Sequence, residues 1–342
     1  MSNPLAGDVH VNVPLTNISI AFMQSASAFV ADQVFPNVPV QKQSDRYYTY
    51  SRGDFNRDTM RKRASGTESA GSGYRVDNTP SYFADVWALH KDVEDQIRAN
   101  ADSPLDMDRD ATMFLSNQAL INREVQWAAN YFGTGIWTGS AVDVTGVAAS
   151  PAGNTVLQWN DSNATPIVDV RSNADRIHLS SGGFRPNKLV LGRQVWSKLE
   201  DHGSITDRIK YGASPGAPAI VTKQAVAALM EVDSILVMDA VKNTGAESAT
   251  FNGLESNAFI GGKAALLVYA APSPSLMQPS GGYTFSWTGF LGAGGMGQRI
   301  KRFRMEHLES DRVEMQMAYT QKLIAAECGT FFTDHRRLIT KA

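Results

Sequence analysis

Cysteine is almost missing: Cys328 is the only one in 342 residues. That excludes an internal disulfide and any zinc site built on cysteines, and it fits a reducing compartment. Long apolar runs are missing too. The stretch 264–271 is only strand-length, against the roughly 18 residues a membrane span needs, so no span is expected. Met1-Ser2-Asn3-Pro4 lacks a basic region followed by an apolar core, so no secretion signal is expected. Charge is sparse at 19%, below the usual figure of about a quarter, which leaves surface that partners can cover. The net charge of −2 excludes a polycation that coats nucleic acid along its whole length.

Signatures of chemistry are absent as well. The six histidines (His10, His90, His178, His202, His307 and His335) are scattered, with no HExxH or paired-ligand spacing. There is no GxSxG nucleophile elbow and no Walker lysine loop. Cys328 lies seven positions from His335 but reads as a buried apolar thiol. Gly292-Ala293-Gly294-Gly295-Met296-Gly297 does fit GxGxxG, with Glu314 about 20 residues on, as a dinucleotide site would require. Its context fails, because such a motif should open the first helix of a βαβ unit, and here it reads as a flexible loop. No catalytic, cofactor or metal residues are expected.

What is present is a sequence of unlike segments. Residues 1–45 read as an arm. Thr16 to Asp32 forms a short apolar helix with Ile20, Met23 and Ala31 near one face, and Pro36 and Pro39 then interrupt it. Either the arm packs on its own domain or a partner covers it. Residues 46–90 read as a long β-ribbon. Arg46-Tyr47-Tyr48-Thr49-Tyr50 leads out, the small, flexible stretch 64–73 forms the tip, and Tyr82 to Leu89 returns. So long a ribbon calls for a neighbouring surface. Residues 91–160 hold a long helix over 104–132, capped by Ser103 with Pro104 at its first position. Its predicted buried stripe is Met107, Ala111, Phe114, Ile121, Val125, Ala128 and Phe132, interrupted by Gln118. At 1.5 Å per residue it would run roughly 43 Å, a structural spine.

From Thr165 the pattern is α/β. Helices are predicted over 166–180 (Ile167, Val170, Ala174, Ile177 and His178 near one stripe), 194–201, 205–209 and 223–231, with Thr222 capping the last. Strands are predicted over 188–191, 234–238 and 264–269. The Pro/Gly-rich stretch 272–298 carries one strand, 283–287, and 299–328 alternates as long strands.

This order resembles the Hong Kong 97-type capsid fold of tailed bacteriophages. Local runs carry the likeness: Phe184-Arg185-Pro186-Asn187-Lys188-Leu189-Val190-Leu191-Gly192, then Val195-Trp196-Ser197-Lys198-Leu199, then His202-Gly203-Ser204-Ile205-Thr206-Asp207-Arg208-Ile209-Lys210-Tyr211. Phe35-Pro36 and Val38-Pro39-Val40, entering the Tyr-rich ribbon, are a further match. The resemblance spans about residues 15 to 335. It implies an α+β subunit with an N-terminal arm (1–45), an extended β-hairpin loop (46–90), a peripheral domain with the spine helix (91–160), an α/β axial domain (161–290) and return strands (291–342). No scaffolding segment of the kind some relatives cleave off is recognised.

The implied role is a major capsid protein, not an enzyme. It would self-assemble as hexamers and pentamers of an icosahedral shell around double-stranded DNA held by non-specific contact. It would be assembled in the host cytoplasm and located in the virion capsid, with portal, scaffold or decoration proteins as further partners and no membrane. An encapsulin-type compartment packaging protein cargo uses the same fold, and a cytoplasmic α/β enzyme built on 165–270 would leave the ribbon and arm unexplained. Three residue sets are singled out. Arg46, Tyr48, Tyr50, Arg52, Arg57, Arg61, Lys62 and Arg63 would make the ribbon's contacts between subunits. The cations there read as a solvated edge, as docking groups for an acidic neighbour, or as DNA contacts. Ile20, Phe22, Phe29 and Phe35 would make the arm's contacts. Arg299, Lys301, Arg302 and Arg304 would face DNA through phosphates or pair with Glu306, Glu309 and Asp311 of a neighbour, with local pairing as the alternative. Some relatives join subunits through Lys–Asn isopeptide bonds; Lys62 sits near the tip, but no motif carries that role over.

Overall fold

The computed structural model describes residues 23–101, 105–138, 143–212, 220–246, 256–274, 278–291 and 297–334. Ile20 and Phe22, the Ser103–Pro104 cap, the glycines at 292–295, Met296, His10 and His335 lie outside the described residues.

Two sheets organise the chain. In the five-stranded sheet, Ser310–Leu323 is the axis. Asp85–Glu94 pairs antiparallel along one side of it, from Ser310 opposite Glu94 to Tyr319 opposite Asp85. Gly282–Trp287 and Gln298–Met305 share the other side, both antiparallel, and Asn37–Val40 adds in parallel beyond Gly282–Trp287. The six-stranded sheet runs Ser234–Met238, Lys188–Gly192, Ala265–Val268, Gly329–Thr333, Val144–Val147 and Thr155–Leu157. Sheet membership therefore cuts across the expected segments. Residues 144–157 sit in the α/β sheet, and 282–287 sits beside the long return strand.

The central strands of the six-stranded sheet are apolar at nearly every position because both faces are covered. Leu189, Leu191, Ala265, Leu267 and Phe332 face one core, under the helices Pro166–Ser181, Arg193–Leu199 and Lys223–Met230. Val190, Leu266, Val268 and Phe331 alternate to the other side and form a second core with Val30, Val34, Phe35, Trp127 and Trp137. Pro166 opens the first of these helices and Gly182, at φ 81°, closes it in the left-handed region that glycine tolerates. Thr222 accepts from the Ala225 amide at 3.2 Å, as its sequence position predicts. His178 is exposed, off the stripe expected to include it.

The long helix is Met107–Tyr131, about 37 Å, and it ties the two sheets together. Ala111, Leu115 and Ala119 pack on Val313, Met315, Met317 and Tyr319 of the long strand. Four residues past Arg123, Trp127 reaches the second core. The helix begins three residues later than expected, because the Asp106 carboxylate takes the cap, accepting from the Asp108 and Arg109 amides at 3.2 and 3.1 Å. Its buried face is rotated from the predicted stripe. Ala111, Leu115, Ala119, Arg123, Glu124 and Trp127 are inside, whereas Phe114 is 42% exposed. The predicted stripe put the apolar Phe114 inside; the fold buries a charged pair instead.

Candidate assembly surfaces

The ribbon is built in steps. Ser44–Arg46 pairs with Ser81–Phe83, and Thr49–Tyr50 with Val76–Asp77. Its base rests on an aromatic stack, with Tyr82 over Phe285 at 4.6 Å and Tyr47 beside the same ring at 5.7 Å. Further out, Tyr50, Phe55 and Tyr74 form a satellite cluster with centroids 5.4–5.9 Å apart. Asp54 locks it, accepting from the Arg75 amide at 3.0 Å and from its guanidinium at 2.9 and 3.1 Å. That guanidinium holds the Asp54 carboxyl down at about 2. The ribbon's inner part therefore stabilises itself, while the segment beyond it holds only a local turn, in which the Thr67 hydroxyl donates to the Ala64 carbonyl at 2.8 Å.

Arg52 anchors the ribbon's root to its own subunit. It donates to the Ser180 carbonyl at the end of the 166–181 helix and lies 3.6 Å from Glu327. Asn56 donates to the Gly182 carbonyl at 3.3 Å. Arg52 was expected at a contact between subunits; it is held within one. Arg46 and Tyr48 are exposed, as are Arg57, Arg61, Lys62 and Arg63, and every residue from Met60 to Thr79 is exposed. Arg57 lies 4.0 Å from Asp54. Tyr50 is half-buried in the satellite cluster.

A substitution separates the two parts of the ribbon. Asp54→Ala is expected to raise protease cleavage between residues 50 and 76 at least about tenfold, while the global unfolding midpoint stays put, because the lost ion pair serves only a local unit. Unchanged cleavage would refute the lock. The sign with pH follows from the depressed carboxyl: the contribution is complete above the usual carboxylate range and fades as pH falls from about 4 toward 2.

Of the two readings the sequence leaves open for the arm, its described root follows packing on its own domain, and Phe29 and Phe35 are not free for the contacts between subunits expected of them. Phe35 is fully buried in its own subunit, ringed by Tyr131 at 4.9 Å, Trp127 at 5.9 Å and Trp137 at 6.4 Å. Phe29 is also buried. These aromatics serve the subunit's core, because the two prolines turn the chain into the parallel strand Asn37–Val40 instead of leading it away.

The basic strand resolves as a local network. Arg302 meets Asp311 at 2.7 Å and Asp108 at 3.2 Å; Arg304 meets Asp95 at 2.5 Å and Asp311 at 3.5 Å; Arg98 adds contacts to Asp95, Asp108 and Asp311 at 3.2, 3.0 and 2.9 Å. Three arginines thus face three aspartates, drawn from the Asp95–Asn100 helix, the long helix and the two return strands. Asp311 is held at about 2, first by its hydrogen bond from Arg302. Arg299 lies over the Phe290 ring at 5.4 Å and donates to Gln316 at 3.2 Å, and Lys301 stands opposite Glu314 in register. The partners Asp95 and Asp108 were not foreseen, although Asp108 lies in the first turn of the long helix and Asp95 starts a helix. Asp311→Asn is expected to lower stability at pH 6 and leave it unchanged at pH 2, where the native carboxyl is itself titrating; an equal loss at both would contradict the network.

On the long helix Met113 and Phe114 are each 42% exposed, one turn beyond Asp110, whose carboxylate lies 3.3 Å from Arg109. This apolar and acidic strip stands apart from the helix's buried face.

No family model matches the chain. It is 25% identical over 238 residues to the major capsid protein of Pseudomonas phage JBD67, covering 68% of this chain and 70% of that protein. Its backbone superposes on a phage-related protein from Bordetella bronchiseptica RB50 with a TM-score of 0.64, at 21% identity over 90% of this chain and 93% of that one. The capsid of cyanophage P-SCSP1u gives 0.61 at 10% identity, covering 97% and 94% of the two chains. The SrpI encapsulin of Synechococcus elongatus PCC 7942 gives 0.55 at 13%, covering 97% and 96%. The backbone likeness runs along nearly the whole chain, and this protein has the Hong Kong 97-type capsid fold.

Proposed function

We propose that this chain is a tailed-phage major capsid protein, whose copies close into an icosahedral shell around double-stranded DNA. The observation that carries the reading is the ribbon. The exposed residues 60–73 project from a self-supporting stem, and their cations find few acidic groups nearby. A segment of this kind gains burial only against another body. The complementary surface on a sister copy is the strip at the start of the long helix, where Met113 and Phe114 stand one turn beyond Asp110. Arg57, Arg61, Lys62 and Arg63 would supply the opposite charge, and Met60, 91% exposed, the apolar contact. Many such modest contacts, repeated by symmetry, add to a durable shell.

DNA would be enclosed without sequence readout, and portal, scaffold or decoration proteins would meet the same shell. Assembly would take place in the host cytoplasm. The arginine network is neutralised at Arg302 and Arg304, which favours a structural role there over phosphate binding. An encapsulin-type compartment shares the fold and is the second reading. Expression of the chain followed by negative-stain microscopy is expected to show shells, tubes or capsomers. Nucleic acid inside supports the phage reading, and a protein cargo supports the compartment. A stable monomer at high concentration overturns both.

A further inference from the structure

Beneath the arm's root lies a charged cluster that shell building does not use. Glu124, on the long helix, is fully buried. Its Oε2 accepts from the Val30 and Ala31 amides at 3.0 and 2.9 Å, while Oε1 has no hydrogen-bond partner among the described residues. Its neighbour Arg123, 3% exposed, meets Asp32 at 2.8 Å and lies over the Tyr319 ring at 5.1 Å. At the far end of the same segment, Lys188 donates to the Gln33 carbonyl. The segment 30–35 is thus gripped by the long helix on one side and the six-stranded sheet on the other.

Counting charges exposes an imbalance. Arg123 pairs with Asp32 and leaves Glu124 without a cation of its own, so the cluster carries a net −1 when both carboxylates are ionised. A buried excess charge is costly, and the cheapest remedy is a proton. The unpartnered Oε1 is where it would sit, leaving Oε2 to keep both amide bonds. Tyr319 and Tyr131 stay neutral, with burial pushing both hydroxyls up to about 12. Lys188 is partly desolvated and committed to a carbonyl.

We propose that docking of the 30–35 segment on the long helix is coupled to uptake of one proton by the Glu124–Asp32–Arg123 cluster, making this contact a pH-sensitive latch on the root of the N-terminal arm. Burial pushes the Glu124 carboxyl up to about 7 and Asp32 upward as well, both mainly through desolvation, which sets the working range near neutrality. The sign follows from linkage. A carboxyl that binds its proton more tightly when docked favours the docked state below about pH 7, and that advantage is lost as pH rises. Acid closes the latch and mild alkali loosens it.

The test is hydrogen exchange followed by mass spectrometry on the full chain, reading peptides that cover 29–36 between pH 6 and 8.5 and correcting for intrinsic exchange. Wild-type protection is expected to fall by about tenfold across that range, the limit for one released proton being tenfold per pH unit. Glu124→Gln keeps an acceptor for both amides and cannot ionise, so its protection should be flat and match the wild type at pH 6. Asp32→Asn removes the like charge beside Glu124 and should move the fall to lower pH without abolishing it, since desolvation of Glu124 remains. A wild-type slope equal to that of Glu124→Gln overturns the proposal, as does an Asp32→Asn profile that superposes on the wild type. If Glu124→Gln does not fold, the Asp32→Asn comparison decides alone.

Discussion

Excising residues 57–73 and closing the gap with a short Gly/Ser linker is expected to leave the subunit folded and to cut particle yield at least about tenfold. The cut falls outside the satellite cluster, so Tyr50, Phe55, Tyr74 and the Asp54–Arg75 lock all remain. Nothing removed is buried, and the thermal midpoint of dissociated subunits should stay within about 2 °C, less than roughly 1 kcal/mol. Assembly is different, because every copy loses a contact and the losses multiply around the shell. Microscopy and sedimentation of equal amounts of protein give the readout. Normal shells at normal yield would remove the ribbon from the assembly mechanism. The triple variant Arg61→Glu, Lys62→Glu and Arg63→Glu then tells charge from coverage. It keeps the length of the tip, so a defect as severe as the deletion assigns the contact to electrostatics, and one that high salt mimics in the wild type strengthens that assignment.

Much of this architecture was legible in the sequence, because period and punctuation dictate it. The 188–191, 234–238 and 265–268 runs are apolar at consecutive positions since both sheet faces are covered, and Thr222 marks a helix start because its hydroxyl can cap the free Ala225 amide. The ribbon was visible as strand formers flanking a small-residue tip, but its return strand was read too long: only Ser81–Phe83 pairs back in the ribbon, and Asp85–Glu94 joins the long strand of the sheet. Other features needed three dimensions. A 3–4 spacing fits more than one stripe on the long helix, and the apolar stripe that omits Arg123 and Glu124 looks better on paper. Those two charges can be inside only because Asp32 and the Val30 and Ala31 amides, some ninety residues earlier, arrive to meet them. Likewise Asp311 and Glu306 were readable as acids near Arg302 and Arg304, but Asp95 and Asp108 were not, since they lie about two hundred residues away in the chain. Charge partners across long loops leave no periodic trace. Phe29 and Phe35 show the converse: an apolar arm residue reads the same whether a sister copy or its own core covers it.

Phe35 is also where the largest single loss of stability is expected. Phe35→Ala should cost about 3–5 kcal/mol in chemical unfolding of the subunit, from lost transfer energy and from the cavity left among Trp127, Tyr131 and Trp137. Phe35→Leu retains most of the apolar volume and should lose roughly half as much. The site also constrains its neighbour. A Cβ at Gly282 would stand 2.4 Å from the Phe35 ring and 2.7 Å from the Lys322 carbonyl, so the strand carries glycine there to let the ring pass. Gly282→Ala should therefore be destabilising in the native background, and less so once Phe35 is trimmed to Ala, since only the carbonyl conflict survives. A coupling of at least about 0.5 kcal/mol in the double-mutant cycle is the expected sign of this shared space. Strict additivity would mean that the ring does not sit where Gly282 makes room for it, and the root of the arm would then need another anchor.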